Sequence, residues 1–181
     1  MGERMLLGIS GSLRAASVNR RLVREAARLY APDRFIEADI DFPLYNGDVE
    51  DGPGVPDAVL TLVDQIEAAE AVVISTPEYN KGPSGVLKNA LDWVSRVRPV
   101  RWTGKPVAVM SAAAGRAGGE RAQMILRSFM VPFQARVIAG PELHLADAGN
   151  QYDADGRLLS DRYVDTLQKL MDNLQAEVTR G

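Results

Sequence analysis

The chain has 181 residues, 46% of them hydrophobic and 25% charged, with a net charge of -3 at neutral pH. That length suits one domain, 1–181, with a proper core, and the mild negative charge argues against a nucleic-acid-binding protein, which is usually basic. With no cysteine and one histidine, His144, disulfides, thiol catalysis, Cys-ligated metals and multi-His clusters are excluded.

Further exclusions concern targeting. The N-terminus lacks a signal-peptide pattern, and no apolar run approaches the ~20 residues of a membrane span. A cytoplasmic setting without membrane or metal is expected.

Met5 to Ile9 reads as a short buried strand, followed by a loop of small residues that includes Ser10, Gly11, Ser12, Ala15, Ala16 and Ser17. A helix is predicted from about Ser17 to Leu29, with Val18, Leu22, Ala26 and Leu29 on one face, ending before Pro32. Strand, hydroxyl-rich loop and helix together aim free backbone N–H groups and the positive end of a helix dipole at one spot, which favours an anion. Ser12, Ser17, Asn19 and Arg14 can add side-chain donors, so the loop is a candidate phosphate-monoester site. An ordinary strand-to-helix turn with a serine cap gives the same pattern.

Phe35 to Asp39 is a weaker second strand. The long segment Asp41 to Val55 reads as a loop whose acids are solvated, with Phe42, Leu44 and Tyr45 packing on the core or over a ligand. Pro56 opens a helix carrying Val59, Leu62, Val63 and Ile66. Ala71 to Thr76 is the clearest buried strand. It runs into the loop Pro77 to Ser84, whose serine can cap a helix with Val86, Leu87, Ala90, Leu91 and Val94; Trp93 is expected to pack beside that stripe.

Val107 to Ser111 is the next strand, leading to the small-residue loop Ala112 to Gly119 and a helix with Ala122, Ile125, Leu126 and Phe129. A fifth strand is predicted over Gln134 to Ile138, with Pro141 to Ala146 either extending it or forming a separate short strand. A polar, turn-rich stretch from Asp147 to Asp161 precedes a last helix with Tyr163, Leu167, Leu170, Leu174 and Val178 on its stripe. This alternation predicts an α/β fold: a five-stranded parallel sheet with helices on both faces. Ligands in such folds bind outside the carboxyl ends of the strands, and the loops after Ile9, Thr76 and Ser111 are all rich in small or polar residues.

Several common sites are excluded. Gly8 and Gly11 do not give the G-x-G-x-x-G spacing of a dinucleotide fingerprint. Gly104-Lys105 is followed by Pro106, so no phosphate loop of the G-K-S/T type is present. The serine of Gly8-Ile9-Ser10-Gly11-Ser12 stands one place off a hydrolase elbow, and His144 is the only available base. His144 is read as a structural residue near a strand end. What fits is a mononucleotide held by its phosphate in the first loop and by its ring between the second and third.

Two blocks, GSLRAASVNR from Gly11 to Arg20 and TPEYNKGPSGVLKNALDWVSR from Thr76 to Arg96, resemble the NADPH-dependent FMN reductase family of flavodoxin-like proteins, which includes quinone, azo-dye and chromate reductases. The resemblance implies a flavodoxin-like fold, bound FMN, NADPH or NADH as hydride donor, a small-molecule electron acceptor, and a homodimer or homotetramer. It places Ser12, Arg14, Ser17 and Asn19 on the FMN phosphate, with the amides of Leu13 and Val18. It places Pro77, Glu78, Tyr79 and Asn80 along the ring and ribityl chain, and Ser111 and Gly115 at the ring's pyrimidine edge. No side chain is assigned as a catalytic acid or base. Ala112, Ala113 and Ala114 depart from the family's pattern of a second hydroxyl, so backbone N–H groups are expected to serve that edge. Arg14, Lys81 and Arg116 are candidates to attract the phosphate of NADPH, and Arg96 and Glu142 to join subunits. Alternatives are a flavodoxin-type electron carrier and a flavin-binding regulator without turnover.

Overall fold

The computed structural model describes residues 2–180. Its elements are β1 (Met5–Ser10), α1 (Val18–Tyr30), β2 (Arg34–Glu37), α2 (Gly47–Asp51), α3 (Asp57–Ala68), β3 (Ala71–Thr76), α4 (Gly85–Val94), β4 (Pro106–Ala112), α5 (Glu120–Phe129), β5 (Arg136–Val137), β6 (Leu143–Leu145) and α6 (Asp161–Thr179). All strand pairings are parallel, in the order β2-β1-β3-β4-β5, with β6 also on β4. The order reverses between β1 and β3, and a crevice opens at the carboxyl ends of those two strands.

Period-2 alternation divides the core between the two faces. Leu7, Ile9, Val72, Ile74, Val107 and Val109 pack with α3, α4 and α5; Leu6, Val73, Ala108 and Met110 pack with α1 and α6. Because both faces are covered, β1, β3 and β4 are buried along their whole length, hence their near-continuous apolar sequences. Gly8 is the exception on the α1 face. A Cβ there would stand 2.3 Å from Val23 Cγ1 and 2.7 Å from Phe35 Cε2, so only glycine lets α1 lie this close to the sheet.

The predicted fifth strand is shorter than expected and is divided. Gln134 adopts a left-handed conformation (φ 57°) after a 3-10 turn, Val131–Phe133. Only Arg136 and Val137 then pair with β4, at Pro106 and Val107. Pro141, which has no N–H for a ladder, ends the run, and β6 resumes beside Met110 to Ala112. The extra strand therefore continues the same sheet edge past the break.

The long loop also holds an unpredicted helix, α2, capped by the Asn46 side chain accepting from the Asp48 N–H at 3.0 Å. Phe42 enters the core, Tyr45 is half-exposed and Leu44 is exposed. Asn89 Oδ1 accepts from the Tyr45 N–H at 2.8 Å, and Trp93 Nε1 donates to the Pro43 carbonyl at 2.8 Å. Tyr45 stands edge-on to Trp93, ring centroids 5.0 Å apart. Its hydroxyl donates to Glu50 at 2.8 Å, and Arg96 Nε donates to the same carboxylate at 2.9 Å. One of the acids expected to be solvated is thus half of an ion pair within the chain.

Two expectations follow. Gly8→Ala overpacks the α1 face and costs about 1–3 kcal/mol, read as a lowered urea midpoint at unchanged slope. The hydrogen bond from Tyr45, then that from Arg96, hold Glu50 below its ordinary value of 4.5. The carboxylate's contribution is therefore complete above pH 4.5 and is lost as pH falls through the depressed folded value. In an acid titration the Trp93 emission changes below that pH, and Glu50→Gln abolishes this transition.

Candidate active site

A cleft of about 530 Å³ opens at the switch in strand order and lies within the size range of cofactor sites. Three loops line it: the one after β1, the one after β3 and the one after β4, joined by Ala148 and Gly149 from the turn after β6.

The first loop is an amide cradle. Ser17 Oγ caps α1, accepting from the N–H groups of Asn19 at 3.2 Å and Arg20 at 3.4 Å. Its hydroxyl hydrogen is left to donate outward. The Val18 N–H, at the first position of α1, has no partner among the described residues. Such terminal N–H groups are what an anion satisfies. Arg14 lines the cleft, exposed, with no carboxylate in ion-pair range among the described residues. Ser12 lines it too, its hydroxyl accepting from the Arg14 N–H at 3.4 Å. Leu13 does not line the cleft; its side chain is exposed, and only its amide could serve.

Asn19 has a different task from the one expected of its side chain. Its Oδ1 accepts from Ser75 Oγ at 2.7 Å and from the Ala112 N–H at 3.1 Å, while Nδ2 donates to the Ala112 carbonyl at 2.9 Å. Only one amide hydrogen remains for a ligand. The side chain is buried and joins the start of α1 to the carboxyl ends of β3 and β4.

The second loop is a tight hairpin. Tyr79 and Gly82 exchange N–H···O bonds of 2.9 and 3.0 Å, and the two residues between them, Asn80 and Lys81, both have positive φ, 48° and 70°. This is the backbone of a type I′ turn, in which asparagine is favoured. Asn80 is therefore the turn-former and does not line the cleft, whereas Pro77, Glu78 and Tyr79 do. Glu78 Oε2 accepts from the Ala122 N–H at 3.1 Å. It caps α5, whose own cap position, Gly119, has no side chain. Ser84 Oγ donates to the Gly11 carbonyl at 2.6 Å and accepts from the Leu87 N–H at 3.2 Å, tying the first loop to the start of α4.

The third loop places Gly115 on the cleft but not Ser111. Ser111 is wholly buried, its hydroxyl accepting from Gln123 Nε2 at 3.2 Å. It points inward because the chain ahead of α5 folds directly over it: a Cβ on Gly119 would stand 2.9 Å from Ser111 Cβ. The wall is instead made by Ala112, Ala113 and Ala114. The Ala112 N–H is held by Asn19 and that of Ala113 by the Leu145 carbonyl at 3.1 Å, whereas the N–H groups of Ala114 and Gly115 have no partner among the described residues.

Ala148, Gly149 and Tyr152 were missed by sequence reasoning. Tyr152 donates its hydroxyl to the Val18 carbonyl at 3.1 Å, and burial pushes its phenol above its ordinary value, so it stays a donor. A turn-rich stretch carries no periodic signal, and only its return across β6 brings it to the cleft. Arg96 and Glu142 pair within the chain, with Glu50 and with Arg127 at 3.8 Å. His144 lies in β6, 3.9 Å from Glu142, and no cluster able to hold a metal occurs among the described residues.

The fold is flavodoxin-like, and the site is a cleft walled by backbone amides and small side chains, with the unpartnered N–H of Val18 and the capping Ser17 at one end. Residues 5–150 match the family model described as NADPH-dependent FMN reductase. An NAD(P)H-dependent FMN reductase of Pseudomonas aeruginosa is 45% identical over 177 residues, covering 97% of this chain and 95% of that one. A quinone reductase of Escherichia coli is 34% identical, covering 99% and 94%. Among solved structures, a flavoenzyme NAD(P)H:(acceptor) oxidoreductase of Paracoccus denitrificans superposes with a TM-score of 0.88 at 31% identity, covering 98% of both chains. The chain belongs to the NADPH-dependent FMN reductase family.

Asn19→Ala strips partners from three buried groups at once and is expected to cost about 2–4 kcal/mol, measured by urea denaturation of the cofactor-free protein. Asn19→Asp retains the acceptor for Ser75 but turns a second acceptor oxygen on the Ala112 carbonyl in a buried position, and is expected to destabilise as well, increasingly as pH rises and the carboxyl ionises.

Proposed function

We propose that the cleft binds FMN and that the protein uses it to pass two electrons from NADPH or NADH to a quinone or similar small acceptor. The observation that carries this reading is the cradle at the start of α1: an amide without a partner among the described residues, a capping serine with a hydrogen to give, and Arg14 with no carboxylate in range among those residues. Bound there, FMN supplies the hydride-accepting chemistry at its N5 atom. Ser12, Arg14, Ser17 and the Val18 amide hold the phosphate, with the Leu13 amide beside them. Pro77, Glu78 and Tyr79 line the ring and ribityl chain, and the amides of Ala114 and Gly115 meet the pyrimidine edge.

Among the lining residues only Glu78 is acidic, and it turns one carboxylate oxygen to the Ala122 N–H at the start of α5, so no side chain is assigned as an acid or base. The protein's part is to position the ring, exclude water beneath it, and leave its other face open beside Tyr79, which is 57% exposed. A homodimer or homotetramer belongs to the same proposal, supported by the exposed Leu44, Met124 and Val131, as does a cytoplasmic setting. No helix among the described residues is long and apolar enough to cross a membrane.

The test is the visible spectrum of the FMN-loaded protein under anaerobic conditions. NADPH bleaches the flavin band and a quinone restores it. A flavin that NADPH leaves oxidised points to a carrier or regulator, and protein that never retains FMN overturns the site. In the same preparation Ser17→Ala weakens FMN binding by about tenfold or more, the worth of one charge-assisted hydrogen bond, read by quenching of FMN fluorescence.

A further inference from the structure

Most cations on this chain are matched to acids. Arg20 and Arg24 share Glu37, Arg28 and Arg157 share Glu25, and Arg96 holds Glu50. Close to half of the 21 basic residues make no ion pair among the described residues, and three of these stand one on each loop of the cleft: Arg14 after β1, Lys81 after β3 and Arg116 after β4. Glu78, which turns one carboxylate oxygen to the Ala122 N–H, sets one negative charge against these three. In a chain of net charge -3, the rim of this cleft is locally positive.

Lys81 carries a second signal. It lies at the tip of the second-loop hairpin with φ 70°, next to Asn80 at φ 48°. A side chain at such a position is strained where glycine would not be. The hairpin turn requires that φ and favours glycine there, so the turn itself does not account for a lysine. No fold-stabilising partner accounts for the lysine, because its ammonium makes no hydrogen bond or ion pair among the described residues.

We propose that Lys81 and Arg116 select the pyridine nucleotide that carries a 2′-phosphate. This rests on the reading of the cleft as an FMN site. In that reading Arg14 is used by the FMN phosphate, which lies at the far end from the ring. Lys81 follows Tyr79 by two residues and Arg116 follows Gly115 by one, so the two flank the ring from opposite loops. A hydride donor stacked on the ring must leave across these loop tips, carrying its adenosine half outward. Arg116 offers a planar fork that matches phosphate oxygens, and Lys81 a mobile point charge. The discrimination is electrostatic, at the surface, and therefore sensitive to salt.

The test uses the FMN-loaded enzyme and the variants Lys81→Gly, Arg116→Ala and both together. Saturation kinetics are measured with NADPH and with NADH, and binding of 2′,5′-ADP and 5′-AMP by calorimetry. Each single variant raises KM for NADPH and weakens 2′,5′-ADP about fivefold, the scale of one exposed charge pair, while kcat holds and the values for NADH and 5′-AMP do not follow. Lys81→Gly keeps or raises the thermal midpoint, showing that the lost selectivity is not lost folding. Equal changes for the two nucleotides, no change for either, or a wild-type enzyme that prefers NADH overturns the assignment. Failure of the wild type to retain FMN, or to be bleached by either nucleotide, would instead count against the flavoenzyme reading itself.

Discussion

The side chain of Asn19 is the constraint on which the cleft depends. One planar amide accepts from Ser75 on β3, accepts from the Ala112 N–H and donates to the Ala112 carbonyl on β4, while its own backbone N–H is taken by the Ser17 cap. The first turn of α1 is therefore fixed to two strand ends that follow it by more than fifty residues. Without that clamp the unpaired amides at the start of α1 would still exist, but nothing would hold them in register with the wall that faces them. Burial makes the arrangement demanding, since each of these polar groups would otherwise be stranded away from water.

The other loops are positioned by the same device, a polar side chain from one segment completing the hydrogen bonds of another. Ser84 caps α4 and reaches back to the Gly11 carbonyl. Glu78 supplies α5 with the cap that Gly119 lacks. Tyr152 holds the Val18 carbonyl from outside. Close approach is secured by glycine: a Cβ on Gly118 would meet the His144 carbonyl at 2.6 Å. The cleft is thus pre-formed by interactions internal to the protein, which reduces the ordering that binding must accomplish.

How much of this was legible follows from which residues carry periodic or local signals. The buried runs Met5 to Ile9, Ala71 to Thr76 and Val107 to Ser111 announced β1, β3 and β4, because strands covered on both faces are apolar throughout. Serines at Ser17 and Ser84 announced two helix starts, and both do cap. What failed depended on distant partners. Ser111 looked available at a strand end, yet Gln123 and the packing of Gly119 turn it inward. Asn80 sat among ligand candidates because its block matched a family, whereas its local role is the left-handed turn. The separate strand β6 is one of the two alternatives read for Pro141 to Ala146, whereas the arrival of Ala148 and Gly149 at the cleft is a consequence of tertiary folding with no period to betray it.

The lining of the cleft is mostly backbone and small side chains. Ala112, Ala113, Ala114, Gly115 and Gly149 bring backbone rather than side chains to the cleft, and backbone donors cannot titrate. Such a site is tuned for shape and for negative charge on its ligands, and leaves the electron transfer to a bound group. The three alanines make this part of the wall flat, and beside them the N–H groups of Ala114 and Gly115, without partners among the described residues, keep it polar.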